Sequence, residues 1–127
     1  MRRRVPPRPV KREWKWRDYF VVAEKLSVQP STKEGTLAVP MGAGNALQWE
    51  VTVHSSISSN VALVVQGSME KDNWVNLSAV AVILTQGYWS GNITSIAWPW
   101  ARLRLTWGGT IMGGPVILAA GIHVAKF

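Results

Sequence analysis

The sequence predicts an all-β fold: an antiparallel, jelly-roll-like β-sandwich of about eight strands, with an extended basic N-terminal arm. Three observations carry this. Apolar and polar residues alternate with a period of two through 47–54 and 101–107, as in strands with one buried face. Turn residues recur every 8–12 positions along the chain, the spacing of a sandwich or barrel. Eleven Gly and seven Pro interrupt every window that could host a helix of useful length, because Pro blocks helix hydrogen bonding and Gly is costly inside one.

The elements follow in order. Residues 1–17 carry Pro6, Pro7 and Pro9 and form the extended arm. A candidate strand spans 19–28, a turn follows over 29–35, and a short strand over 36–39 ends at Pro40. Residues 41–45 are a Gly-rich loop. In 47–54, Leu47, Trp49, Val51 and Val53 point one way and Gln48, Glu50, Thr52 and His54 the other. After a polar loop over 55–60, the nearly continuous apolar run 61–66 reads as a strand buried on both sides. Residues 67–73 are turn chemistry, and 74–77 return antiparallel as a hairpin. A further apolar strand is expected over 78–84. Turns at Gln86-Gly87 and Ser90-Gly91-Asn92 bracket Tyr88 and Trp89. In 101–107, Leu103, Leu105 and Trp107 oppose Arg102, Arg104 and Thr106. Residues 108–115 form a glycine-framed loop, and 116–127 the closing strand.

The chain has 127 residues, enough for one ordinary domain and too few for two. Its net charge of +7 is unevenly placed. The arm, 1–17, holds eight basic residues against Glu13 alone, whereas 18–127 hold six basic and six acidic side chains. The domain, 18–127, is thus a neutral body on a cationic tether, which disfavours nucleic-acid binding across a broad basic face. Charged residues are 17% of the chain, against roughly 25% in typical soluble domains. An apolar, uncharged body favours association. Trp supplies eight of the twelve aromatics, and Trp is enriched in interfaces.

The segment Val61-Ala-Leu-Val-Val-Gln-Gly-Ser-Met-Glu-Lys-Asp-Asn-Trp-Val-Asn-Leu77 is the most specific in the chain. A strand ends in Gln-Gly-Ser, an acidic turn follows, and Asn-Trp-x-x-Leu returns. Trp98-Pro-Trp-Ala-Arg-Leu-Arg-Leu105 lies downstream. Together, over roughly residues 47–107, they resemble small β-sandwich structural proteins of tailed-phage particles, of the decoration, minor capsid or head–tail accessory type. In those proteins a V-x-V-x-G-S-x-D-x-x-x-W-x-x-L hairpin pairs with a later Y-x-R-L-x-L strand. Here Glu70 and Asp72 surround Lys71 in the turn, and Trp100 stands where an aromatic precedes the arginine strand. The resemblance implies a β-sandwich assembled into a virion.

Catalytic chemistry has little to work with. There is no cysteine, hence no disulfide, thiolate site or cysteine nucleophile. His54 and His123 stand without a motif and read as surface or structural histidines. Glu70 and Asp72 suit turn formation or a weak calcium site better than acid–base work. Ser68 lacks a nucleophile-elbow frame, Gly42-Ala-Gly44 lacks the rest of a dinucleotide fingerprint, and zinc spacing is absent. The expectation is a non-enzyme with no cofactor and no metal site. Arg102 and Arg104 read as a solvated outer face, as salt bridges to Glu50 or a neighbouring subunit, or as a small anion contact. Ile111 and Met112, at a glycine-framed tip, are candidates for insertion into a neighbouring subunit. Trp49, Trp74 and Trp107 read as core. Trp89, Trp98 and Trp100 flank turns, as a sugar platform or a subunit contact.

The expected function is therefore a capsid decoration, cement or minor capsid subunit. It assembles through its sandwich, as a homo-oligomer, and tethers by its arm. The arm's partner residues are Arg2, Arg3, Arg4, Arg8, Lys11, Arg12, Trp14, Lys15, Trp16 and Arg17. Its partners are capsid or other virion proteins, with nucleic acid as a further possibility; if the arm lies on capsid protein, Trp14 and Trp16 should matter as much as the charges. A carbohydrate-binding sandwich module of a phage tail or fibre is the alternative. An RNA-virus-like jelly-roll coat protein is a third reading, for which the chain is short. No apolar stretch approaches the roughly 20 residues of a spanning helix, and no secretory h-region follows Arg4. The expected location is the virion, after synthesis in a host cytoplasm.

Overall fold

A computed structural model describes residues 15–55, 59–78, 81–109 and 114–126. Arg2, Arg3, Arg4, Arg8, Lys11, Arg12, Trp14, Ile111 and Met112 lie outside the described residues. The strands are β1 Lys15–Val28, β2 Lys33–Gly35, β3 Val39–Pro40, β4 Ala46–Ser55, β5 Ser59–Ser68, β6 Val75–Asn76, β7 Val82–Leu84, β8 Gly87–Ile93, β9 Trp100–Gly109 and β10 Val116–Lys126. They form two antiparallel sheets packed face to face. The first has the order β1-β10-β4-β8. The second has the order β2-β9-β5-β6, with β3 also on β9 and β7 also on β5.

Alternation builds the core. Leu47, Trp49, Val51 and Val53 of β4 face Val61, Leu63 and Val65 of β5 and Leu103 and Leu105 of β9, with Leu118 and Ile122 of β10 beside them. Five of these leucines are at most 1% exposed, and burying each stabilises by about 1.5–3 kcal/mol. The hairpin read in 61–77 is present: Gly67 pairs with Val75 and Gln66 with Asn76. The arginine strand pairs with it in the long β5–β9 ladder, Val65 opposite Leu103.

The structure corrects several elements. Tyr88 and Trp89 are not bracketed by turns: Gly87–Ile93 is the edge strand β8, paired with β4 from Val53–Gly87 to Leu47–Ile93. Its glycine misled: Gly91 lies under the indole of buried Trp49, and a Cβ there would come within 2.7 Å of that ring. Lys33–Gly35, expected within a turn, is a short strand on β9. The turn itself is tighter, closed by Thr32 N donating to Gln29 O at 3.1 Å. Strand β5 is not equally buried on both sides; Val61, Leu63 and Val65 are buried and Ala62 and Val64 half-buried. Of the strand expected over 78–84, Val82–Leu84 is strand among the described residues; 79 and 80 lie outside them. Strand β1 starts at Lys15, so Lys15 and Trp16 of the arm pair by backbone with Lys126 and Ala125. Among the described residues no helix is long and apolar enough to cross a membrane.

Candidate interaction surfaces

Each sheet turns one face away from the core, so the sandwich presents two outer faces on opposite sides. On the first sheet, Glu50 projects outward from β4, as its polar phase requires. Tyr88 of β8 donates its hydroxyl to Glu50 Oε1 at 3.0 Å. His123 Nε2 of β10 lies 3.3 Å from Glu50 Oε2. The Tyr19 phenol of β1 stands close enough to Glu50 for that carboxylate to raise its pKa. One carboxylate thus gathers side chains from all four strands. The Tyr19 ring stacks on His123 with centroids 4.3 Å apart. It reaches Glu50 by lying across Gly121, where any Cβ would collide with the phenol.

The cluster shows in its acidities. Burial first, then the Glu50 charge, raise the Tyr19 pKa above the ordinary phenol value. The Glu50 hydrogen bond is the first cause of the same upward shift at Tyr88. In each case the neutral phenol is the form the carboxylate favours. Beside the cluster lies a shallow, open depression of about 320 Å³. Ala119 and Gly121 floor it; Tyr19, Val21, Glu24 and Thr52 wall it. Tyr19 is 49% exposed, Val21 52% and Tyr88 61%, so this face carries large apolar side chains into solvent. Among the described residues, no Lys or Arg lines the depression.

The second sheet's outer face is built from cations on rings. The Arg102 guanidinium lies over the Trp74 indole, 4.2 Å from its centroid. Arg102 Nε donates to Gln66 Oε1 at 2.9 Å, and Gln66 Nε2 donates to Asn76 Oδ1 at 2.9 Å. The guanidinium also packs over Gly35. Lys71 Nζ sits 4.3 Å from the Trp100 ring centroid. Its turn is held by the Ser68 hydroxyl, which accepts from the backbone N–H of Lys71 at 2.8 Å. Lys71 has φ +73°, and Glu70 and Asp72 flank it in that exposed turn. Burial, then the neighbouring Arg104 charge, lowers the Arg102 pKa. Among the described residues, neither Arg102 nor Arg104 has a carboxylate within ion-pair distance.

Several sequence expectations change here. Arg102 and Arg104 cannot bridge to Glu50, which stands on the other sheet. Trp74 is not core: it is half-buried on the outer face beneath Arg102. Trp49 is core, and Trp107 is half-buried against it, its indole N–H donating to Gly114 O at 2.9 Å. Trp89, Trp98 and Trp100 do not share one platform. Trp89 packs against the core and donates its indole N–H to Thr85 O at 2.9 Å. Trp98 also packs against the core, over Gly67. Trp100 alone of the three faces outward, under Lys71. His54 is exposed on the outer face, and His123 is a structural partner of Glu50. Among the described residues, no group of three or more His, Cys, Asp or Glu is placed to hold a metal. Sequence reasoning missed Tyr19 and Tyr88 as partners of Glu50, and Gln66 as the clamp on Arg102.

No protein-family model matches the chain, and no curated protein matches it by sequence. Solved structures do share its fold. The crystal structure of the PBSX exported protein XepA matches over 87% of this chain with a TM-score of 0.64 and 11% identity. The chain spans only 37% of that protein's length. The SPBc2 prophage-derived protein YomS matches over 92% of this chain and 99% of its own, with a TM-score of 0.57 and 16% identity. At these identities the likeness is one of fold.

Proposed function

We propose that the chain is a structural subunit of a phage particle, of the capsid decoration, cement or minor capsid kind, working by assembly rather than catalysis. The observation that supports this best is the fold shared end to end with a prophage-derived protein of matching length. The division of charge agrees with it: a neutral, apolar body and a cationic arm are the parts of a subunit that packs among copies and ties itself to a neighbour. The arm adds a second contact at high effective concentration, so modest affinity at each contact yields firm attachment. In the particle, the arm lies on virion protein, with Trp14 and Trp16 as anchors between its arginines.

The test is incorporation. Particles from a producing strain are banded on a density gradient and probed by mass spectrometry for this chain. The full chain is expected in the particle band, and a variant lacking residues 1–14 at a tenth of that amount or less. A chain absent from particles contradicts the reading; equal incorporation without the arm contradicts the tether. If the arm instead holds duplex DNA, binding of the purified chain to DNA falls steeply with salt, with a slope of about −0.9 per phosphate contacted.

A further inference from the structure

The two outer faces differ in charge and in shape: cations stand across the middle of the second sheet's face, with Glu70 and Asp72 at its rim, and carboxylates line a depression on the first. The second sheet's face projects the Arg102–Trp74 stack, Arg104 and the Lys71–Trp100 pair, with Lys33 beside them at the β2 edge. The Arg102 stack is pre-organised: Gln66 holds the guanidinium nitrogen while the indole supports its plane. Arg and Trp are the residue types that dominate binding energy at interfaces, and a stacked guanidinium loses little freedom on docking. The first sheet's face offers the Glu24 and Glu50 carboxylates around a depression with a floor of small residues, walled by an exposed Tyr and Val. Tyr is likewise enriched at interfaces.

We propose that these faces bind each other between copies of the chain: the Arg102–Arg104 face of one subunit docks on the Glu24–Glu50 face of the next. The contact goes beyond the role as a particle subunit and rests on it for the setting in which copies meet. Because the two faces lie on opposite sides of one sandwich, the contact is head-to-tail. Repeated, it makes a ring if the rotation closes and a filament if it does not. The second sheet limits the area. Its β5 and β9 are ten residues long and β2, β3, β6 and β7 two or three; at about 4.8 Å between strands and 3.4 Å per residue it presents on the order of 500 Å² per partner. That is below the roughly 800 Å² of a standard stable interface, so the purified chain associates weakly and reversibly. The symmetry of a particle would supply the rest.

Sedimentation velocity on the full chain, run as a concentration series at low salt, tests this. The wild type is expected to show a concentration-dependent rise in sedimentation coefficient that salt reduces. Two variants each disable one face: Arg102→Glu with Arg104→Glu, and Glu24→Gln, which removes its charge without reversing it. Each alone should associate at least tenfold more weakly. Mixed one to one, they still own one intact face each, so they should form a dimer that does not grow. Circular dichroism confirms that each variant is folded, and Arg104→Glu alone spares the Trp74 stack if the double variant is not. A wild type monomeric to about 1 mM overturns the proposal. So does association that neither variant weakens, or a mixture that stays monomeric. Self-association by a chain absent from particles leaves this contact standing and removes only the particle role; a monomer found in particles does the reverse.

Discussion

The outer face of the first sheet satisfies itself, whereas the outer face of the second does not. On the first, Glu50 is shared by Tyr19, Tyr88 and His123, one partner from every other strand of its sheet. Its charge goes first to holding strands together, and the exposed Glu24 beside it is the carboxylate more open to a partner. On the second, Arg102 is held, among the described residues, by the neutral groups Gln66 and Trp74, and Arg104 adds a second positive charge two residues on. That arrangement positions charge without neutralising it. The lesson is that two outer faces of one sandwich, each built around charged side chains, can serve different ends. A carboxylate with several internal donors is structural first, while a stacked cation with no counter-ion is available to a partner.

Substitutions can break the comparison. The largest effect belongs to the core that both faces share: Leu63→Ala should cost about 2–5 kcal/mol, read from urea denaturation. Next, Glu50→Ala should cost about 1–3 kcal/mol, since contacts with a charged group are lost on three strands at once. Arg102→Ala should cost less, at most about 1 kcal/mol, because a half-exposed cation–ring stack contributes little to folding. If Arg102→Ala proves as costly as Glu50→Ala, the division into a structural and an available face fails. Gly121→Ala is milder still. The new methyl displaces the end of the Tyr19 side chain rather than backbone, so stability should fall by less than about 1 kcal/mol. Its signature is a Tyr19 that titrates nearer the ordinary phenol value, read by ultraviolet difference absorbance.

Alkaline pH sharpens the same point. Tyr19 and Tyr88 both have folded pKa values above the unfolded value of 10.0. Above about pH 10 the unfolded chain releases these protons first, so the folded state then binds more protons and stability falls as pH rises. Below that value the contribution is fully present. In Glu50→Gln, Tyr88 should return closer to the ordinary value than Tyr19, because Glu50 is the first cause at Tyr88 and burial the first at Tyr19. Equal shifts at both would contradict this ordering.

The elements legible in the sequence were those whose signal is local. Alternation in β4 and β9 named their buried residues correctly, because one face of each strand is core and the other is not. The hairpin at 61–77 was legible because Gly67 and Ser68 punctuate it. Strand β8 was not, since its Gly91 serves packing against Trp49 rather than turning the chain. The two faces were half legible. Parity placed Glu50, Arg102 and Arg104 outward, but parity is blind to which sheet a strand joins. His123 meets Glu50 across 73 positions and Tyr88 meets it across 38. Arg102 finds Gln66 across 36. Trp74 was assigned to the core because it is apolar and beside a strand; a cation two strands away decided otherwise.

The opposition of the two faces can be tested without altering the protein. A zero-length carbodiimide reagent joins a carboxylate to a lysine amine only where the two touch. Applied to an equal mixture of nitrogen-15-labelled and unlabelled wild-type chain, it should couple Glu24 of one copy to Lys71 or Lys33 of another, seen as mixed-isotope peptide pairs by mass spectrometry. Mixed-isotope links that join each face only to itself, or none that involve Glu24, would contradict the account.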